Sequence, residues 1–442
     1  MLYCGVDIGT TNLKVSLVDG EGCARWTRAI PTPRRSVAEL SAADGDVVAA
    51  AAENLIIEGW RTVGAGHPLA AIATTGVGED GLYVDELLRP LTPAIPWFDR
   101  SAVNEAEQIR SSGAMSARSG IEMEHTRTGA RWLWWHSRMP DIQKRAANWI
   151  ALTDYPAAVW CSTAFISETL AARTGCFDIF KRKWLPAMLN VCAAPHLPPI
   201  LRAGQVVGCV VSPRLLESGA ASATTLIVAG GHDHPMASSL IQRINPWARV
   251  DSIGTANVVY AEADASPPDH LDPTICSTVP VRKKIGTAFL GVYEFSAGVR
   301  SLEAQGVDMR RFLDQPRMPG LPHGNWSRGD VAETAGDPRR LLEVASFNAR
   351  VLLEKLTAFG VEEGPIYVTG GWSRSRSLVE LRASVFGQAL HVLSEQEPAV
   401  VGAALLAADG TGASVDPKAT VSVEIVEPNP SWAKSYSTVF QN

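Results

Sequence analysis

Positive charge is scarce in this chain. Its 442 residues carry 40 Lys and Arg against 46 Asp and Glu, a formal net charge of −6, and a surface without a basic excess argues against broad nucleic-acid binding. No run reaches the roughly 18 apolar residues that a membrane span requires. The opening Met1-Leu2-Tyr3-Cys4-Gly5-Val6-Asp7 shows no basic leader followed by an apolar core, so a cytoplasmic protein with no membrane partner is expected. Cysteine is also thin: seven residues, odd in number, scattered and without a Cys-x-x-Cys pair. That excludes a disulfide framework and leaves reduced, mostly buried thiols. What the chain does have is 46% hydrophobic residues and enough length for two sizeable domains, each able to bury a core.

The most informative feature is a repeated segment. Ile8-Gly9-Thr10-Thr11-Asn12 returns as Ile253-Gly254-Thr255-Ala256-Asn257, each copy flanked by apolar residues and preceded by an Asp. In the first copy, Cys4 to Ile8 reads as a strand, Gly9 to Asn12 as a tight turn and Leu13 to Val18 as a returning strand. Glycine lets the backbone approach an anion, and the amides and hydroxyls of Thr10 and Thr11 can donate to phosphate oxygens. The second copy, through Gly254 and Thr255, can do the same from the opposite side, so that two facing turns would clamp a polyphosphate. Asp7, at the strand end, is placed to hold a hydrated magnesium ion. Either copy alone is only a turn; the pair suggests two related halves.

Helix-like and strand-like stretches alternate, which indicates α/β architecture. Residues 43–59 have helical apolar spacing, 69–75 read as a buried strand, 82–85 as a further strand and 104–111 as a helix. Leu226 to Ala229 is a short buried strand running into Gly230-Gly231-His232-Asp233-His234, ahead of a small-residue helix over 235–240. Asp233, at a strand end facing a cleft, can accept the proton of a substrate hydroxyl that attacks the γ-phosphorus of ATP. A zinc site on His232 and His234 ranks lower, because two histidines are too few ligands and spacing offers no third. Pro365 to Gly371 is a strand ending in two glycines before a helix, and Gly370 and Gly371 there would let an adenosine ring lie against the backbone. A helix over 397–407 reads as core.

Taken together, these segments resemble the FGGY carbohydrate kinase family of the actin and hexokinase superfamily, over residues 3–408. The resemblance implies two ribonuclease-H-like (actin-like ATPase) domains with a cleft between them, divided at 1–240 and 241–442. It also implies magnesium ATP as phosphoryl donor and a small sugar or polyol, such as a pentulose or deoxyhexulose, as acceptor. Asp7 to Thr11 resembles the first phosphate motif, Ser252 to Thr255 the second, and Gly370 to Ser375 the adenosine motif, with Ser375 in the nucleotide site. Asp233 takes the place of the family's catalytic aspartate and joins Asp7 at the metal. Glu79, Asp80, Trp97, Asp233 and His234 fall on the substrate side. Glu79 stands where glycerol kinases carry a glutamate, and Asp80 where fuculose and rhamnulose kinases carry an aspartate. Two adjacent carboxylates suit recognition of neighbouring hydroxyls, while Trp132, Trp134 and Trp135 match a packing helix. A catalytically idle sensor of the same fold is the alternative, and a chaperone or filament protein of the superfamily a third; a homodimer is compatible with all three.

Overall fold

The chain is described here by a computed structural model covering residues 1–37, 40–254, 256–264, 271–282, 286–316, 318–322, 336–395 and 397–441. Two mixed sheets organise it. In the first, the strands run in the order Val206–Cys209, Leu226–His232, Ala71–Gly76, Leu2–Ile8, Asn12–Asp19, Ala24–Pro31. Three of them form an antiparallel meander, Leu2–Ile8 against Asn12–Asp19 against Ala24–Pro31. Ala71–Gly76 and Leu226–His232 then add in parallel.

The second sheet repeats this plan. Arg249–Ile253, Ala256–Ala263 and Thr287–Glu294 form the meander, and Ile366–Thr369 and Leu390–Leu393 extend it in parallel. Strand Ile275–Thr278 and strand Val423–Val426 close its two edges. A long helix lies between each meander and its first parallel strand: Gly45–Val63 in the first half and, after the shorter Ser296–Ala304 and Met309–Leu313, Pro338–Ala358 in the second. The repeated Ile-Gly-Thr segment therefore marks the first hairpin of two copies of one α/β unit, the two actin-like ATPase domains expected from the sequence.

Sequence reasons for these elements are local. Val48, Ala52, Leu55 and Ile56 recur at helical spacing and are buried, an apolar stripe that seats Gly45–Val63 on the sheet. Asp44 caps this helix, its side chain accepting from the Asp46 amide, which satisfies one otherwise orphaned N–H. At about 1.5–3 kcal/mol for each large apolar side chain taken from water, such faces dominate the stability of both halves.

The helix Asp233–Ile244 runs through the expected division at 240/241. Leu240 is buried in a cluster with Tyr3, Val18, Ala73 and Val400, on the first sheet, and Ile241 in a cluster with Val250, Val258 and Tyr260, on the second. One helix thus serves as a spine for both sheets. Pro398–Gly410, late in the sequence, returns to the first half: its Val400, Val401 and Ala404 share the cluster of Tyr3 and Ala71. Sequence reading gave this small-residue helix a core role, and the packing agrees. Trp132 is fully buried and meets Trp149 edge to face, so the tryptophan-rich helix Thr128–Arg138 is packing material.

Candidate active site

Asp233 is the first residue of the spine helix, and its aim is set by the two glycines before it. A Cβ on Gly230 would come within 1.8 Å of Thr74 O, and one on Gly231, at φ +149°, within 1.9 Å of Thr169 Oγ1. The strand shifts register between Val228 and Gly231, a bulge only glycine tolerates here. His232 N–H donates to Thr169 Oγ1 at 2.9 Å, so the strand end is fastened just before the carboxylate. Asp233 Oδ1 accepts from the His234 amide at 2.7 Å and lies 3.3 Å from His232 Nε2 and 3.8 Å from His234 Nε2. Burial pushes the pKa of His232 down to about 4, with Arg173 assisting and Asp233 opposing, so the imidazole is neutral near pH 7 and can only share a proton with Asp233. Among the described residues no cluster of three His, Cys, Asp or Glu could hold a metal ion.

Asp7 comes to the same place from the first hairpin. It is buried, and its Oδ1 has no hydrogen-bond partner among the described residues. Burial raises its pKa to about 7; Lys14 opposes the rise, while Asp233 and Glu397 add to it. The charge of Asp233 is thus near enough to be felt at Asp7. Lys14 Nζ is 3.6 Å from Asp7 Oδ2 and 2.5 Å from Glu397 Oε2. Sequence reading passed over Lys14, although the hairpin places it directly opposite Asp7 in register. Counting back across the four-residue turn would have paired them.

The first turn is built as expected. Gly9 N–H donates to Asn12 O at 3.0 Å, and Thr32 Oγ1 and the Arg34 guanidinium tie down the Gly9 and Thr10 carbonyls. Trp97 Nε1–H donates to Thr10 Oγ1 at 3.0 Å, which joins the half-buried substrate-side tryptophan to this turn. In the second turn Gly254 N–H donates to Ala256 O at 3.1 Å; Thr255 lies outside the described residues. Asp251, the counterpart of Asp7, does not face the cleft as Asp7 does. It is fully buried, 2.7 Å from Arg382 Nε, and accepts from Asn257 Nδ2 at 2.8 Å. The repeat has thus buried both aspartates, tying Asp251 to Arg382 and Asn257 and leaving Asp7 Oδ1 without a hydrogen-bond partner among the described residues.

Gly370 and Gly371 stand at the end of strand Ile366–Thr369, beside Ile253. Gly370 is at φ +89°, and a Cβ on Gly371 would meet nothing within 4 Å, so open space lies over that backbone. Ser375 caps the following helix, accepting from the Leu378 amide at 3.2 Å, donates to Leu313 O at 2.8 Å and lies 3.2 Å from Ser377 Oγ; all three contacts are internal.

Glu79 and Asp80, adjacent in sequence, have different surroundings. Glu79 Oε1 takes Arg173 Nη2 at 2.5 Å, Arg173 Nε at 2.9 Å and Arg127 Nη1 at 3.2 Å. Burial alone would raise its pKa, but the two arginines outweigh burial and hold it at about 2. Asp80 is 0% exposed, and neither oxygen has a hydrogen-bond partner among the described residues. Arg131 and Arg34 stand off at 3.8 and 3.9 Å, and burial pushes its pKa up to about 6 against their pull. Arg34, Arg127, Arg131 and Arg173 carried no signal in the sequence: they come from distant segments and converge only in the fold. The result is two adjacent buried carboxylates, one tightly paired and one held only loosely.

Residues 2–239 match the N-terminal domain and residues 307–410 the C-terminal domain of the FGGY family of carbohydrate kinases. A xylulose kinase of Haemophilus influenzae is 24% identical over 383 residues, 76% of each chain. An L-fuculokinase of Escherichia coli O157:H7 is 23% identical over 379 residues, 78% of each chain. The crystal structure of xylulose kinase from Rhodospirillum rubrum superposes with a TM-score of 0.85 at 20% identity, covering 100% of this chain and 97% of that one. Among the described residues no helix is long and apolar enough to cross a membrane. With both domain models matched in order across a doubled α/β fold, the chain belongs to the FGGY family of carbohydrate kinases.

Proposed function

We propose that the chain transfers the γ-phosphate of ATP to a hydroxyl of a small ketose or polyol, with Asp233 as general base. The observation that carries this is Asp7, buried at the end of the strand before the first glycine turn with its Oδ1 unpartnered among the described residues and close enough to Asp233 for the two charges to interact. In the proposed reaction the substrate hydroxyl gives its proton to Asp233 as its oxygen bonds to the γ-phosphorus, and the bond from that phosphorus to the β–γ bridging oxygen breaks, leaving ADP. His232, neutral and 3.3 Å from Asp233, orients the carboxylate without neutralising it.

The residues fit a nucleotide and a magnesium ion. Gly9, Thr10, Thr11, Gly254 and Thr255 would cradle phosphates, and Gly370, Gly371 and Ser375 the adenosine, with the open face of Gly371 as the ring's bed. Asp7, through its unpaired Oδ1, and Asp233 would hold the metal. Hard oxygen donors that are few in number suit magnesium, which keeps several waters. Bound there, the ion would offset charge on the phosphates; Lys14 already offsets that of Asp7.

On the substrate side, Asp80 would accept from sugar hydroxyls, Trp97 would lie against the carbon skeleton, and His234 would flank the reacting hydroxyl. Glu79, bound to two arginines, would shape the pocket through them. The relatives named xylulose kinase and L-fuculokinase favour a ketose of five or six carbons. The working division is 1–240 for the sugar and 241–442 for adenosine, with residues 398–410 lent to the first half. The test is ADP release from magnesium ATP across ketoses, aldoses and polyols of three to seven carbons, with Asp233→Ala as control. Turnover on one sugar, abolished in the control, supports the reading; ATP binding with no turnover on any would replace it with a binding-only role.

A further inference from the structure

Strand Ile275–Thr278 belongs to the second sheet through its pairing with Thr287–Glu294. Its other side lies against the first half. Ser277 N–H donates to Gly120 O at 2.7 Å. Gly120 is at φ +72°, and a Cβ there would come 2.8 Å from Ser277 O and 2.9 Å from Ser277 Cβ, so only glycine allows this approach. Val279, just beyond the strand, is fully buried among Ile109, Met123 and Ile179 of the first half. The contact is thus part backbone hydrogen bond and part apolar core.

Cys276 carries the contact into the sugar wall. Arg127 Nη2 donates to its Sγ at 3.5 Å, while Nη1 of the same guanidinium bonds Glu79. Arg173, the other partner of Glu79, is also within electrostatic reach of the thiol. A single planar guanidinium therefore reads two things at once: the Glu79 carboxylate on its own half and the strand offered by the other.

We infer that strand Ile275–Thr278 closes the sugar pocket from the second half, and that Cys276 is a positioning residue which, through Arg127, makes the order of the Glu79 cluster depend on the two halves being together. Parting the halves at this edge breaks the Ser277–Gly120 bond and the Cys276–Arg127 contact in one step, and Arg127, still held on its own half by Glu79, Glu124 and the Glu122 carbonyl, loses the contact that ties it to the other. This rests on the kinase reading above for its substrate, but the contact has a readout that needs no turnover.

The experiment is amide hydrogen exchange with peptide resolution on the wild-type chain, Cys276→Leu, Cys276→Ser and Gly120→Ala, alongside sugar and ATP kinetics. In Cys276→Leu, exchange should quicken in both 117–128 and 275–279, segments from opposite halves, and the sugar KM should rise on the order of tenfold. ATP affinity measured without sugar should hold, and Cys276→Ser, which keeps a small acceptor for Arg127, should restore both readouts. Gly120→Ala, which acts from the other side, should quicken the same two segments. Quickening confined to one segment, or wild-type exchange in Cys276→Leu, overturns the inference. A wild-type chain without turnover on any sugar would sink the kinase reading, and the paired exchange would then decide the contact by itself.

Discussion

Replacing the two neighbouring carboxylates of the sugar wall by their amides should move stability in opposite directions. Asp80 rises from an ordinary 3.8 to about 6 in the fold. Between these values the folded chain keeps a proton that the unfolded chain has lost, so stability falls as pH rises through that window. Above it the ionised group costs, at about 1.4 kcal/mol per pH unit, ~3 kcal/mol. Asp80→Asn removes the charge and keeps the shape, so at pH 8 the ligand-free variant should be more stable by up to that amount, roughly 5–10 °C in Tm for a domain of this size.

Glu79 behaves in the opposite sense. Its pKa is lowered from 4.5 to about 2, so it adds stability that is present above 4.5 and lost as pH falls towards 2. Glu79→Gln should therefore lose about 3 kcal/mol at pH 8, because Arg173 and Arg127 are left buried without their anion. The assay is thermal unfolding of wild type and both variants at pH 8 and pH 4. The Asp80→Asn gain should shrink almost to nothing at pH 4, where the native carboxyl is protonated anyway. A destabilised Asp80→Asn at pH 8, or a gain independent of pH, would refute the claim that Asp80 is held ionised at a cost for the sake of a ligand. The sugar affinity of Asp80→Asn should fall even as its Tm rises, since a site built to bond hydroxyls is what the charge is kept for.

The other predictions concern the chemistry and the glycines. Asp233→Asn should cut kcat by about 10²-fold or more with ATP affinity retained, read by coupled ADP release and calorimetry; an active variant would remove Asp233 as base. Gly371→Leu enters open space, so Tm should stay put while ATP affinity drops at least about tenfold, the side chain occupying the bed of the ring. If instead sugar affinity fell and ATP held, the adenosine assignment would be wrong. Gly231→Ala drives a Cβ into Thr169 Oγ1 at 1.9 Å and should cost more than about 2 kcal/mol in chemical denaturation, moving Asp233 as it does so.

The duplicated fold was legible because its signals are local. A Gly-Thr turn between two apolar runs names a hairpin, and the same turn twice names two hairpins. Ends were less legible: the strand expected to stop at Ala229 continues to His232, because a glycine bulge bends it while keeping it in the sheet. Likewise the helix expected after Gly371 begins as a short 3₁₀ turn, Gly371–Arg374, before Arg376–Phe386. Asp7, Asp233 and the glycines could be singled out from sequence since each sits at or beside the end of a strand, a position that pattern alone can locate.

Why Glu79 and Asp80 were read as one recognition pair is instructive. Adjacent carboxylates share a segment, and a segment is all that sequence pattern offers. What separates them is which guanidinium each can reach, and those that bond Glu79 stand 48 and 94 residues away in the chain. Arg173 and Arg127 saturate Glu79, while Arg131 and Arg34 approach Asp80 without bonding it. A carboxylate that folding has already neutralised gains little by binding a hydroxyl, since it must give up a stronger partner to do so. One that folding has buried and held only at 3.8 to 3.9 Å from its arginines has more to gain from a hydroxyl. This is why the proposed sugar contact is given to Asp80, and the difference between the two lies in tertiary contacts that no local pattern of residues encodes.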